Sequence, residues 1–225
     1  MNCLIVCEES QAITKWLRFL GHNAYSCDIQ ECSGGFPQWH IKGDCLALLN
    51  GFTSFITQDN QCHCIGGKWD LIIAHPPCTY LSFAGNRHFN VDKYGQKAIE
   101  RIKKRESAAE FFMQIWNCNC EHLAIENPVG YMNTHFRKPD QIINPYEFGD
   151  SAFKRTCLWV RGLPLLYSDY LVQRPAPIAY CGGKPRYFTE MTNHGDRQKL
   201  RSKTFDGIAR AMAYQYTCNF YMDVV

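Results

Sequence analysis

Apolar residues along this chain fall into short unbroken runs, separated by stretches with helical spacing. Asn2–Cys7 is a brief apolar run that stops at Glu8 and Glu9. Ser10–Leu20 places Ile13, Trp16, Leu17 and Leu20 on one helical face, and Gly21 suits the position just past a helix end. Asn23–Ile29 reads as a second strand that ends at Asp28. In Asp70–Ala74 the run Leu71, Ile72, Ile73 does not alternate with polar residues, as expected of a parallel strand covered on both faces. Gln96–Asn117 carries a long amphipathic pattern, Leu123–Ile125 a further buried strand, and Phe205–Tyr216 a closing helix. Strands alternating with helices predict an α/β fold, a doubly wound Rossmann-like sheet with helices on both faces.

In such sheets ligands sit beyond the carboxyl ends of the strands. The polar residues that directly follow the apolar runs are therefore the ones to examine. Glu8 and Glu9 follow the first run, Asp28 closes the second, His75–Cys78 follows the third and Glu126–Asn127 the fourth. Leu163–Lys199 differs in composition, with Pro164, Pro175, Pro177 and Pro185 and the adjacent Gly182 and Gly183. It reads as an irregular excursion, at about 163–200, within a single domain spanning 1–225.

The length of 225 residues fits one domain, and 46% hydrophobic residues can supply its core. No apolar run approaches the roughly 18–20 residues of a membrane span. The apolar start is short and runs into two glutamates, unlike a signal peptide. A soluble protein of the cytoplasm, with no membrane partner, is expected. Thirteen cysteines suggest a disulfide framework, but that belongs mainly to short secreted chains. Cys3, Cys7, Cys27 and Cys157 lie in apolar runs, where free thiols behave as small hydrophobes. The net charge of +3 is compatible with a nucleic-acid partner without requiring one.

In Asp70-Leu-Ile-Ile-Ala-His-Pro-Pro-Cys78-Thr-Tyr-Leu-Ser82 a buried strand leads into a Pro-Pro turn that presents a cysteine. Prolines fix φ and stiffen the backbone, which suits a nucleophile that must be held in place. A turn with an incidental cysteine is the plainer alternative. In Leu123-Ala-Ile-Glu126-Asn127-Pro128 a carboxylate at the end of a buried strand can be desolvated, and can then protonate or hydrogen-bond a ring nitrogen; otherwise it is a turn or capping glutamate. Asp28 stands about 20 residues beyond the first strand's loop, the spacing at which an acid holds ribose hydroxyls, and Asp44 of Gly43-Asp44 suits an adenine amino group. The loop Cys7-Glu-Glu-Ser-Gln11 has no Gly-x-Gly and is acidic. It would repel a pyrophosphate but not a sulfonium, which favours S-adenosylmethionine over a dinucleotide.

These residues and their order resemble the DNA cytosine-5 methyltransferase family. Pro77-Cys78-x-x-x-Ser82 is similar to its nucleophile loop, Glu126-Asn127-Pro128 to its Glu-Asn-Val motif, Asp28 and Asp44 to its cofactor-binding acids, and Gly207–Ala213 to its final helix. A closer resemblance, over most of the chain, is to short phage and prophage proteins of this kind. They share Cys7–Gln11, Ser33–Asp44, His75–Ser82, Asn144–Gly149 and Lys154–Trp159. The resemblance implies transfer of a methyl group to carbon 5 of cytosine in DNA, in the host cytoplasm if the chain is phage-encoded. Cys78 would attack C6 of a flipped base, and Glu126, with Asn127 beside it, would act at N3; flipping costs a few kcal/mol. S-adenosylmethionine would lie against Cys7, Glu8, Glu9 and Ser10, against Asp28 and Ile29, against Asp44 and Cys45, and against His75 and Pro76. Thr79, Tyr80, Ser82, Arg87, Lys154 and Arg155 would face substrate, with Tyr80–Tyr94 as a closing loop.

The chain departs from the family's pattern at four places. The first loop lacks glycine, Thr79 replaces a glutamine, Gln141–Pro145 lacks the two arginines of the family's Gln-x-Arg-x-Arg element, and no large target-recognition domain fits between Trp159 and Arg201. Lys154 and Arg155 are candidates to supply the missing charge. Other readings stay open: amino methylation of adenine or cytosine, C5 modification of a free nucleotide, or a non-catalytic cofactor- or DNA-binding relic. The run Arg101, Lys103, Lys104, Arg105 reads as a solvated helix face before a DNA contact. Cys62-His63-Cys64 and Cys118-Asn-Cys120 lack the Cys-x-x-Cys spacing of zinc sites, and no metal is expected.

Overall fold

A computed structural model describes residues 1–187 and 204–218. Eleven strands are described: β1 (Asn2–Val6), β2 (Asn23–Asp28), β3 (His40–Lys42), β4 (Ser54–Ile56), β5 (Cys62–Cys64), β6 (Leu71–Ala74), β7 (His122–Pro128), β8 (Gln141–Ile143), β9 (Thr156–Arg161), β10 (Ala179–Cys181) and β11 (Lys184–Arg186). The α-helices are α1 (Ala12–Phe19), α2 (Leu46–Leu49), α3 (Val91–Tyr94), α4 (Gln96–Trp116), α5 (Met132–His135) and α6 (Asp206–Cys218). Seven strands form one sheet in the order β3-β2-β1-β6-β7-β9-β8. The first five are parallel, β9 runs against β7, and β8 runs against β9. Strands β4 and β5, and β10 and β11, form two separate hairpins.

This is the expected Rossmann-like α/β fold. Strand residues alternate between two cores because successive side chains of a strand point to opposite faces. Leu4, Val6, Ile72, Ala74, Leu123 and Ile125 pack with Phe112 and Ile115 of α4 and with Leu48 and Leu49 of α2. Cys3, Ile5, Leu71, Ile73 and Ala124 pack with Ile13 and Leu17 of α1 and with Ile208, Met212 and Tyr216 of α6. The unbroken run Leu71–Ile73 is thus a strand buried on both faces. The chain leaves β1 to one side for β2 and to the other for β6, so the topological switch point lies between β1 and β6, with the ligand crevice of such sheets beyond their carboxyl ends.

Several elements differ from the sequence expectations. The strand around Leu123 is longer than expected and contains Glu126 and Asn127 instead of ending before them. Strands β3, β8 and β9 were not anticipated. Strand β9 is legible only with the sheet in hand, where Trp159 and Cys157 meet Ile125 and Asn127. Of the excursion at 163–200, the described part carries the β10–β11 hairpin, and residues 188–200 lie outside the described residues. All thirteen cysteines are free thiols. Among the described residues no helix is long and apolar enough to cross a membrane.

Candidate active site at the carboxyl ends of the parallel strands

The loop after β1 makes its sharp turn without glycine. Cys7 and Gln11 both take left-handed backbone conformations, at φ of 59° and 57°, which non-glycine residues adopt at some energetic cost. Gln11 recovers part of that cost, because its side-chain amide donates to Phe36 O at 2.8 Å and accepts from Phe36 N at 3.1 Å. That clamp brings the Ser33–Gly35 stretch onto the loop so closely that a Cβ at Gly34 would lie 2.6 Å from Gln11 Cβ and from Ser10 O. Ser33 adds a backbone bond to Glu9 O at 2.8 Å and a hydroxyl bond to the Glu9 carboxylate. The shared Ser33–Asp44 stretch therefore roofs the first loop.

Glu8 has a different role from the one its position suggested. Its carboxylate is buried and accepts from Ile13 N at 2.6 Å, from Thr14 N at 3.3 Å and from Thr14 Oγ1 at 2.7 Å. It caps α1, satisfying donors that the helix N-terminus leaves unpaired. Burial pushes its pKa up, partly offset by His75 and by the bonds from Thr14 and Ile13. The Cys7 thiol meets Cys45 within the core; that contact and burial raise its pKa well above the ordinary thiol value. Cys45 is itself buried. What Cys7, Glu8 and Cys45 can offer a ligand is thus backbone and shape. Asp28, at the end of β2, uses Oδ1 to accept from Gln30 N, and the Ile29 side chain beside it is 77% exposed. Asp44 Oδ1 accepts from Leu46 N at the start of α2.

Strand β6 delivers His75, Pro76, Pro77 and Cys78. The turn is tight: Leu81 N and Ser82 N both donate to Cys78 O, at 3.1 and 2.9 Å, and Cys78 is half-buried. Its neighbour β7 ties this turn down at two points. Asn127 Nδ2 donates to Pro76 O at 2.8 Å, and His75 Nδ1 lies 2.9 Å from Glu126 Oε2. The parallel register Ala74↔Ile125 makes both contacts possible. Burial raises the pKa of Glu126, but the Lys154 charge and the His75 bond and charge outweigh it and hold the carboxyl below the usual glutamate value. Lys154 is the cation whose charge acts on Glu126. Arg155 is exposed.

The segment after Ser82 is a 3-10 helix, Phe83–Phe89, capped by Ser82 Oγ, which accepts from Ala84 N. It is docked from two sides. Tyr131 N donates to Leu81 O at 2.7 Å, and Ser82 and Gly130 form an isolated bridge. From α4, Arg105 donates to Tyr80 O at 3.0 Å and to Asn86 Oδ1 at 2.6 Å, with its guanidinium 3.3 Å from the Phe89 ring centre. Arg101 sits 5.0 Å from both the Tyr80 and the Phe89 rings. Two members of the basic run are therefore the clamp of the Cys78 loop and not a plain solvated face. The sequence signal for this was their spacing of four residues, which puts both on one helix face. Thr79 and Arg87 are exposed.

The Cys-x-Cys pairs serve other ends. Arg161 donates to the carbonyls of Trp116, Cys118 and Cys120 and so closes the end of α4, while Cys62 and Cys64 lie in the exposed β4–β5 hairpin. Among the described residues no group of three or more histidines, cysteines or acids is gathered as metal ligands.

Fold and site together define a Rossmann-like α/β protein with a cysteine turn and a buried carboxylate at adjacent strand ends beside the switch point. Neither a family model nor a curated protein sequence matches the chain.

Proposed function

We propose that this protein is an S-adenosylmethionine-dependent methyltransferase acting on carbon 5 of cytosine in DNA through a covalent adduct at Cys78. The observation that carries the reading is the pairing of β6 with β7. It sets a conformationally restricted cysteine turn against a strand bearing a buried glutamate, tied by Asn127 and His75. Addition to C6 of a pyrimidine needs both a nucleophile at C6 and a proton or hydrogen bond at N3, and these two groups supply them. The reversed strand between β7 and β8 also accords with the methyltransferase sheet that the resemblance implies.

The cofactor crevice fits S-adenosylmethionine by its donor set. Asp28 and Asp44 are carboxylates suited to ribose hydroxyls and an amino group, Ile29 is an exposed apolar surface suited to adenine, and the glycine-free first loop, with Glu9 as its carboxylate outside the core, suits a cation better than a pyrophosphate. The bound cofactor would supply an electrophilic methyl group. The chain's own residues would do the rest. Cys78 bonds C6, Glu126 serves N3, Asn127 holds the turn through Pro76, and Tyr80, Phe83 and Phe89, stiffened by Arg101 and Arg105, provide stacking surfaces for an extruded base.

The test uses DNA containing 5-fluorocytosine with protein and S-adenosylmethionine, resolved on a denaturing gel. Fluorine blocks the last elimination, so the adduct persists. A shifted band with wild type that disappears in Cys78→Ala is the expected result. With cofactor binding established, no band on DNA and a mass increment only with a free 5-fluorocytosine nucleotide would move the substrate from polymer to nucleotide. No adduct on either would overturn the reading.

A further inference from the structure

His75 stands at the end of β6 between two buried carboxylates, and the cysteine chemistry just described leaves its imidazole unused. From β7, Glu126 Oε2 lies 2.9 Å from Nδ1. From the loop after β1, Glu8 is close enough for its charge to be felt, although both Glu8 oxygens are engaged at α1. Nε2 of His75 is buried and has no hydrogen-bond partner among the described residues. Glu126 is held on one oxygen only, and Oε1 makes no hydrogen bond among the described residues. A buried imidazole with an unmet nitrogen is costly. A hydrophobic residue would cap β6 at less expense, so the arrangement asks for a reason in the carboxylate it holds.

We propose that His75 is the positioning residue of Glu126: Nδ1–H pins Oε2, so that Oε1 is presented to N3 of the target cytosine and the resulting carboxylate is stabilised once its proton has passed to the base. The inference rests on the cytosine C5 reading. The Cys78 thiolate forms the S–C6 bond, the C5=C6 pair becomes the C4=C5 bond, and the C4=N3 pair becomes a lone pair on N3. Glu126, whose lowered pKa leaves it ionised at rest, takes up a proton from solvent at Oε1 and passes it to N3. The carboxylate left behind keeps its hydrogen bond from His75 and faces the charge of Lys154. After C5 has taken the methyl group, its proton passes to a solvent base, the C5–H pair re-forms C5=C6 as the S–C6 bond breaks and releases the Cys78 thiolate, and the N3 proton returns to Oε1. Nε2 left unmet costs less as a lone pair than as a buried N–H. The Nδ1–H tautomer follows.

The charged and titratable groups around the pair are Glu8 from the loop after β1, Lys154 from the segment before β9 and Cys78 from the same turn. Since the His75 bond lowers the Glu126 pKa, its loss lets Glu126 keep its proton to higher pH. The experiment compares wild type and His75→Gln in the single-turnover rate of 5-fluorocytosine adduct formation across pH. It adds nitrogen-15 NMR of the histidine ring in wild type and in Glu126→Gln. Expected are a rate loss of about 10–100-fold at neutral pH, a high-pH limb displaced upward in His75→Gln, and an Nδ1-protonated ring in wild type whose signal moves in Glu126→Gln. A merely structural His75 would slow the reaction equally at all pH, and an unmoved limb overturns the proposal. So does an Nε2-protonated ring indifferent to Glu126→Gln, which remains readable if His75→Gln does not fold. If wild-type protein forms no adduct at all, the cytosine reading fails and takes the N3 role with it, while the NMR result separately decides whether His75 pins Glu126.

Discussion

Gly130 lies where the Cys78 loop and the segment after β7 meet closely, and replacing it with alanine tests whether that approach sets Cys78, the proposed nucleophile. The added Cβ would stand 2.1 Å from Leu81 O, 2.9 Å from Leu81 C and 3.1 Å from Ser82 Cα. All three are backbone atoms, so no side chain can swing away. Restoring even a 3.0 Å separation from Leu81 O requires the two segments to part by about 0.9 Å. The Ser82–Gly130 bridge and the 2.7 Å bond from Tyr131 N to Leu81 O lie across that gap. Losing one hydrogen bond and overpacking one contact costs about 2–4 kcal/mol of stability. The displaced turn begins at Cys78 O, which receives Leu81 N and Ser82 N, so the shift is passed to the nucleophile. A misplacement of about 1 Å at a reacting group can cost about 100-fold in rate. The assay is the single-turnover rate of 5-fluorocytosine adduct formation at saturating cofactor, beside urea denaturation of the same variant. A Gly130→Ala protein that is destabilised yet traps DNA at the wild-type rate would refute the claim that this contact positions Cys78.

Three further outcomes follow from the same contacts. Glu8→Ala strips three donors of their acceptor and is expected to destabilise by about 3–5 kcal/mol in urea. Because burial raises the folded-state pKa of Glu8, the stability from its protonated form is present below about pH 4.5 and lost as pH rises through the raised value. The cost of Glu8→Gln should therefore shrink with rising pH, and a cost that grows would contradict the burial argument. For Glu126 the sign is opposite: its lowered folded pKa adds stability above the ordinary glutamate value, lost as pH falls through the folded value. Lys154→Met should cost about 1 kcal/mol more at neutral pH than at a pH where Glu126 is protonated, read by thermal melts at both. Arg105→Met removes two hydrogen bonds and a cation–π contact from the loop. Amide exchange over residues 79–89 should quicken by at least about tenfold with the sheet amides unaffected, while unchanged exchange would show that α4 does not clamp the loop.

The sequence alone determined the parallel core of this protein and the sheet edge at which its candidate site lies. Runs such as Leu71–Ile73 can be buried only with cover on both faces, and polar residues directly after such runs must emerge at the sheet's carboxyl edge. Cys78, Asp28 and Glu126 were legible for that reason. The tertiary structure decided which of those residues are free to act, because that depends on partners far away in the chain. Glu8 looks like a ligand until α1 folds back and takes both its oxygens. Arg101 and Arg105 look like a solvated face until the Cys78 loop lies across them. The neighbour of Glu126 is His75, 51 residues earlier, and no periodicity within either segment encodes that meeting. It arises from β6 lying beside β7 in register. Local pattern reports which face of an element is buried; the identity of what it is buried against is a property of the assembled sheet.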